Sequence, residues 1–286
     1  MRKDLEQMNL LDDFLFGAMI NDERYGEKLS RCILETVFQR PMGNLTVHAQ
    51  TVFIGAGPKN HGIRLDAYIE EKNEDVSVFA GDVYDIEPHQ KEGERNTLPK
   101  RARYYHTLRD SRLLKTGDDY SDLKEAFVIV ITPYDPLGSG RMVYTIRNMC
   151  VEDPSIPYYD GAVTMFLYTD GDPETGSEEL GKLLKYMKNT TEANAVGDDL
   201  REIQRMVKEI KQNKEVRTAA MKYNEILKAE RSEGKEEGRE EGFEEGTLET
   251  LVALVRKKLI SVKDAAEQAG IPEADFCKKM NSELKA

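Results

Sequence analysis

At 286 residues and 32.6 kDa, the chain can hold one core of roughly 150–200 residues with appended elements, or two small domains. Lys and Arg number 41 against 53 Asp and Glu, a net charge of −12, which excludes the uniformly basic surface of a dedicated nucleic-acid coat. Hydrophobic residues at 39% with 33% charged point to a core plus charge-rich helices or tails.

Cys32, Cys150 and Cys277 stand far apart, with no CxxC or Cys/His spacing, so neither a zinc knuckle nor a disulfide framework is expected. The opening MRKDLEQMNLLDDF has no apolar signal core, and no run approaches the ~20 apolar residues that span a bilayer. These features predict a soluble protein of a reducing cytoplasm with no membrane partner.

In chain order, residues 10–20 and 25–38 carry apolar residues at helical spacing, with Asn21 or Asp22 as a candidate cap and Pro41 and Gly43 as the stop. Residues 45–54 alternate as a strand. In 63–70, Ile63, Leu65, Ala67 and Ile69 face one way and Arg64, Asp66, Tyr68 and Glu70 the other. A polar turn at 71–75 leads to a strand over 76–87. LPKRARYYHTLRDSRLLK (98–115) reads as a helix with Pro99 tolerated in its first turn. AFVIVI (126–131) is a continuous β-branched run, as expected of a strand buried on both faces, and further strands are predicted at 141–147 and 162–168. This order predicts an α/β fold with a mixed sheet.

After Gly176 the chain becomes helical and charged. EGKEEGREEGFEEG (233–246) repeats glycine every four residues, and Glu230 to Glu249 carries a local charge of −6. Each glycine costs a helix about 1 kcal/mol relative to alanine, so this segment reads as a solvated linker. Leu248, Leu251, Val252, Val255 and Leu259 then form one apolar face. A helix–turn–helix-like pair with Gly270 at its turn follows, offering Val262, Ala265, Ala266, Ile271 and Phe276 as a covering surface.

The informative chemistry is a pair of carboxylates. Asp66 lies on the polar face of one strand and Glu87 ends the next, before Pro88. In a hairpin such side chains come within about 5–8 Å, close enough to share a divalent cation. A cation so held activates water against a phosphodiester. His89 shares the face of Glu87 in extended geometry. The helix that follows places Lys100, Arg101, Arg103, Arg109, Arg112 and Lys115 against Asp110 alone, a net +5, with Tyr104, Tyr105 and His106 interleaved. Phosphate contacts and base stacking are both within its chemistry. The competing reading is a helix whose tyrosines pack on the sheet and whose arginines pair with glutamates. FIGAGPKNHG lacks the dinucleotide fingerprint, and no G-x-S-x-G is present.

Taken together, GIRLDAYIE, VYDIE, LPKRARYYHTLRDSRLLKTGDDY, FVIVITPYDPLGSGRMVYTI, the opening LDDFLFGAM and the Glu/Gly-rich tail resemble the PD-(D/E)XK nuclease-like transposases, the recombination-promoting nucleases of bacteria. The resemblance covers most of 8–170 and, more loosely, the tail. It implies a restriction-endonuclease-like core at 8–175, a helical extension at 176–230, the linker at 231–247 and a helical module at 248–286. It also implies metal-dependent cleavage of DNA. Asp66 and Glu87 would bind Mg²⁺, with Mn²⁺ or Ca²⁺ as substitutes and the Pro88 carbonyl as a further ligand. Two residues after the glutamate the wider superfamily usually has Lys, and this family often Gln. Here His89 stands there, a side chain largely neutral at pH 7 and able to accept a proton from water. Lys100, Arg101, Arg103, Tyr104, Tyr105, Arg109 and Arg112 would contact DNA. The alternatives are a degenerate nuclease fold that binds nucleic acid or protein, and a tail that serves homo-oligomerisation alone.

Overall fold

The computed structural model describes residues 3–49, 52–53, 63–64, 67–72, 82–114 and 117–282. It divides into two units, Met1–Ala220 and Met221–Ala286.

In the first unit, α1 (Asp13–Asn21) and α2 (Gly26–Phe38) precede β1 (Asn44–Ala49), and β2 (Val52–Phe53) pairs with β3 (Ile63–Arg64) as a separate ribbon. Then come β4 (Ala67–Lys72), β5 (Val83–Pro88), α3 (Leu98–Leu113), β6 (Ala126–Thr132), β7 (Val143–Ile146) and β8 (Ala162–Tyr168). The main sheet runs β1-β4-β5-β6-β8-β7. β1, β4 and β5 form an antiparallel meander. β5, β6 and β8 are parallel, and β7 returns antiparallel along β8. Helix α3 is the crossover that parallel pairing of β5 and β6 requires. The fold is therefore mixed α/β, as the sequence predicts.

Period-two alternation sorts the strands between two layers. Ala67, Ile69, Tyr84, Ile86, Phe127, Ile129, Ile131, Val163, Met165 and Leu167 face α1 and α2. Tyr68, Val83, Val128, Val130 and Phe166 face α3, meeting Leu98, Ala102, Tyr105 and Leu108. All seven residues of β6 are buried, because both faces are covered. The face of β4 that reads as polar is thus no solvent face: its Tyr68 lies buried beneath α3.

Helix α2 buries Leu29, Ile33 and Leu34, each worth about 1.5–3 kcal/mol, and ends where Gln39 turns left-handed at φ 52°. Helices α4 (Glu178–Lys188) and α5 (Asp198–Gln212) bury Leu183, Leu184, Met187, Ile203, Val207 and Ile210 in the cluster that holds α1 and α2. The expected extension from residue 176 accordingly packs into the first core, since each helix carries an apolar face too large to leave in water.

Helix α6 (Lys214–Arg256) runs unbroken through 231–247, the segment expected to be a linker. Apart from Phe243, the residues between its glycines are Glu, Lys and Arg, all good helix formers, and they carry the helix across. In the second unit, α7 (Val262–Gln268) and α8 (Glu273–Ser282) turn at Gly270, whose φ of +66° suits glycine. Leu251, Val252, Ala265, Ala266 and Phe276 form its core, while Leu259 lies beyond the end of α6 and is 66% exposed. Phe276→Ala is expected to cost this small unit about 3–5 kcal/mol. Limited proteolysis of the full chain should then degrade residues after about 245 and spare the first unit. Equal resistance of mutant and wild type would contradict this packing.

Candidate active site

Strand β5 supplies the site. Its residues Asp85 and Glu87 share the face of Val83, under α3, and both carboxylates are buried, at 1% and 6% exposure. The β4–β5 hairpin that the carboxylate pairing requires is present, with Ala67 opposite Ile86 and Tyr68 opposite Asp85. Asp66 lies outside the described residues.

Glu87 Oε1 lies 2.6 Å from Arg101 Nη2, a turn into α3, while its Oε2 is buried with no hydrogen-bond partner. Burial raises the Glu87 carboxyl above its ordinary range, opposed by the Arg101 charge and a hydrogen bond from Tyr105. Asp13, at the start of α1, adds to its negative field. The carboxyl of Asp13 is itself raised, by burial first and then by Asp12. Pro88 ends β5 and is buried, paired in register with Ile131.

His89 is buried and engaged at both ring nitrogens: Nδ1 lies 2.8 Å from Tyr134 Oη and Nε2 3.1 Å from Glu94 Oε2. With a carboxylate facing Nε2, the proton belongs there, and Nδ1 accepts from the tyrosine hydroxyl. Burial also lowers its pKa, favouring the neutral ring. The proton-accepting role expected of His89 is therefore corrected: both nitrogens are already committed, so the ring acts as a fixed donor toward Glu94.

The basic helix is less available than its sequence suggests. Arg109 is fully buried, with Nη1 3.5 Å from Asp85 Oδ2, Nε 3.3 Å from Asp110 Oδ1 and Nη2 donating to His106 Nδ1 at 2.9 Å. His106 Nε2 lies 3.1 Å from Thr164 Oγ1, and burial together with the Arg109 charge lowers its pKa to about 4. Both oxygens of Asp85 and Nη1 of Arg109 lack hydrogen-bond partners. Burial outweighs the Arg109 charge and raises the Asp85 carboxyl to about 7.

Arg101 binds Glu87 and also Glu94, at 3.3 Å, and Tyr105 packs into the α3 core. Arg109 and Tyr105 are thus corrected from DNA contacts to internal groups. The cause is that α3 roofs a sheet face bearing two carboxylates, which draw its cations inward. Lys100 and Arg103 remain exposed and Tyr104 half-buried, while the side chain of Arg112 lies outside the described residues. If α3 contacts a nucleic-acid backbone, Lys100→Gln with Arg103→Gln should flatten the log–log salt dependence of DNA binding by up to about 1.8 units. An unchanged slope would place the contact elsewhere.

Asp13, Asp85, Glu94 and Tyr134 join this site only in three dimensions. Asp85 alone had a sequence signal, its two-residue spacing from Glu87 on a strand. Among the described residues no cluster of three or more His, Cys, Asp or Glu side chains is arranged to hold a metal ion. The described carboxylate oxygens buried without a hydrogen-bond partner are Glu87 Oε2 and both oxygens of Asp85, of which Asp85 Oδ2 faces Arg109 and Glu87 Oε2 is the one that fits a hard cation. No described helix is long and apolar enough to cross a membrane. No family model, no curated protein and no solved structure matches this chain.

Proposed function

We propose that the first unit is a metal-dependent DNA endonuclease of the restriction-endonuclease-like type, serving recombination or mobile elements in the cytoplasm. The observation that carries this reading is the buried Glu87 carboxylate at the end of the β4–β5 hairpin, with one oxygen left without a partner. A buried orphan oxygen is costly unless a cation satisfies it. Glu87 would hold Mg²⁺, or Mn²⁺ or Ca²⁺ in its place, together with Asp66 and the Pro88 carbonyl. Such an ion would supply Lewis acidity at the phosphate and make a bound water more acidic than bulk water. The chain's own groups then do the positioning. Arg101 fixes the Glu87 carboxylate, Tyr105 supports both, and Tyr134 holds the His89 ring. Self-association through the helices after residue 248 belongs to the same reading.

A second reading rests on the Arg101–Glu87 pair. An internal cation already balances this carboxylate, as in a fold that binds nucleic acid or protein without turnover. Plasmid DNA incubated with the full chain in Mg²⁺, Mn²⁺ or Ca²⁺, against a chelator control, separates the two. The nuclease reading expects nicked or linear product in Mg²⁺ or Mn²⁺ and none with chelator. DNA retained in a gel shift but uncut in every metal would favour the second.

A further inference from the structure

Three donors from separate positions converge on one carboxylate beside Glu87. Glu94 lies in the 3₁₀ segment Glu92–Thr97. Its Oε2 lies 3.1 Å from His89 Nε2 and 3.3 Å from Arg101 Nη1, and its Oε1 lies 3.2 Å from Lys91 Nζ. Two of these donors are anchored by the scaffold. His89 is pinned through Nδ1 by Tyr134, and Arg101 through Nη2 by Glu87 and through Nε by the Tyr105 hydroxyl. The acceptor borders solvent, its side chain 39% exposed, and its hydrogen bonds come from His89, Lys91 and Arg101. His89 and Lys91, in turn, hold the Glu94 carboxyl below its ordinary range.

We propose that His89, Lys91 and Arg101 form a phosphate-binding subsite for one phosphodiester of a nucleic-acid backbone, and that Glu94 fills it in the free protein as an internal stand-in. The chemistry of the exchange is matched. A carboxylate and a phosphodiester are both monoanions with two terminal oxygens, and guanidinium, ammonium and imidazole N–H groups serve either. The Nε2–H of neutral His89 faces the anion, beside the Arg101 guanidinium. Glu94 can turn outward into solvent as the phosphate enters, so the exchange leaves no charge stranded in the interior.

The position sets the consequence. One guanidinium spans both groups, with Nη2 on Glu87 and Nη1 on Glu94. A phosphate replacing Glu94 therefore sits one guanidinium from the carboxylate assigned to hydrolysis. The subsite deepens the nuclease reading and takes its substrate class from it, but its occupancy is measurable without any cleavage. It also makes Glu94 a filter. A ligand must displace an intramolecular anion, so isolated phosphate binds weakly and a polyanion that makes additional contacts binds well.

The test is titration calorimetry of inorganic phosphate into the full chain, with the imidazole resonances of His89 followed in parallel. Glu94→Gln and Glu94→Ala are each expected to tighten phosphate binding about tenfold, or about 1.4 kcal/mol. Adding Arg101→Gln to either variant should erase the gain, as should Lys91→Gln. Thermal melts of all variants establish that they fold. Unchanged or weaker phosphate binding in both folded Glu94 variants overturns the subsite, and so does a gain that survives loss of Arg101 and Lys91. The two readings also fail separately. Tighter phosphate binding with no plasmid cleavage in any metal keeps the subsite and rejects the nuclease. Metal-dependent cleavage with no gain in the Glu94 variants does the reverse.

Discussion

Above pH 7, where Asp85 is ionised, replacing it with leucine is expected to destabilise the first unit by about 3–5 kcal/mol, the cost of leaving a buried charge without its partner. Arg109 is wholly buried, and a guanidinium cannot shed its proton to escape. Asp110 remains near its Nε, and the His106 ring still accepts from Nη2, but neither replaces the carboxylate facing Nη1. The opposite substitution should be milder. In Arg109→Met the orphaned Asp85 can take up a proton, and its carboxyl is already raised to about 7 by burial. The double variant Asp85→Leu with Arg109→Met should recover most of the loss, since a well-packed apolar pair often matches or exceeds a buried ion pair. Urea denaturation of the four proteins measures this cycle. Equal costs for both single variants would show that protonation does not relieve Asp85.

The same carboxyl gives a pH dependence of definite sign. Its folded value, about 7, lies above the ordinary 3.8, so between those limits the folded protein holds a proton that the unfolded chain has released. Its contribution is therefore fully present below about pH 4 and is lost as pH rises through 7, at up to about 1.4 kcal/mol per pH unit. Measured against Asp85→Asn, the wild type should lose stability from pH 4 to 7 and run parallel above that. A difference that is flat from pH 4 to 7 would mean Arg109 keeps Asp85 ionised throughout.

What the sequence makes legible follows from periodicity. The seven buried residues of β6 are readable as an unbroken apolar run, and the span of α3 is readable within two residues at its C-terminal end. Alternation also places Glu87 at the end of its strand. Periodicity cannot say what lies above a polar face. Tyr68, Asp85 and Glu87 alternate with apolar neighbours as a solvated face does, yet α3 crosses over them and turns that face into a second core. The misreading of Arg109 has the same origin: the charge of α3 is visible in the sequence, but the carboxylates beneath it are not. Glu94 and Tyr134 reach His89 from a 3₁₀ turn and from the end of β6, a meeting that no local pattern encodes. The Glu/Gly-rich stretch shows the opposite error. Weighing its glycines outweighed the strong helix formers between them, and the backbone is helical there.

Glu87→Gln is expected to reduce metal-dependent cleavage by at least about 100-fold while leaving the fold intact. The amide keeps the shape of the side chain, and its oxygen can still accept from Arg101, which retains Glu94 as a counter-charge. Burial already disfavours the ionised Glu87, so neutralising it removes a desolvation cost along with an ion pair, and the melting temperature should barely move. This separates chemistry from structure. If Glu87 exists only to anchor Arg101, the variant cleaves normally and its defect, if any, appears in the melt. If it holds the cation, calorimetry with Mn²⁺ shows affinity lost alongside turnover, and Asp66→Asn shows the same two losses. Wild-type cleavage by a folded Glu87→Gln protein would remove this carboxylate from the reaction. Arg101 would then be the principal group at the end of β5, and the second reading, binding without turnover, would take over.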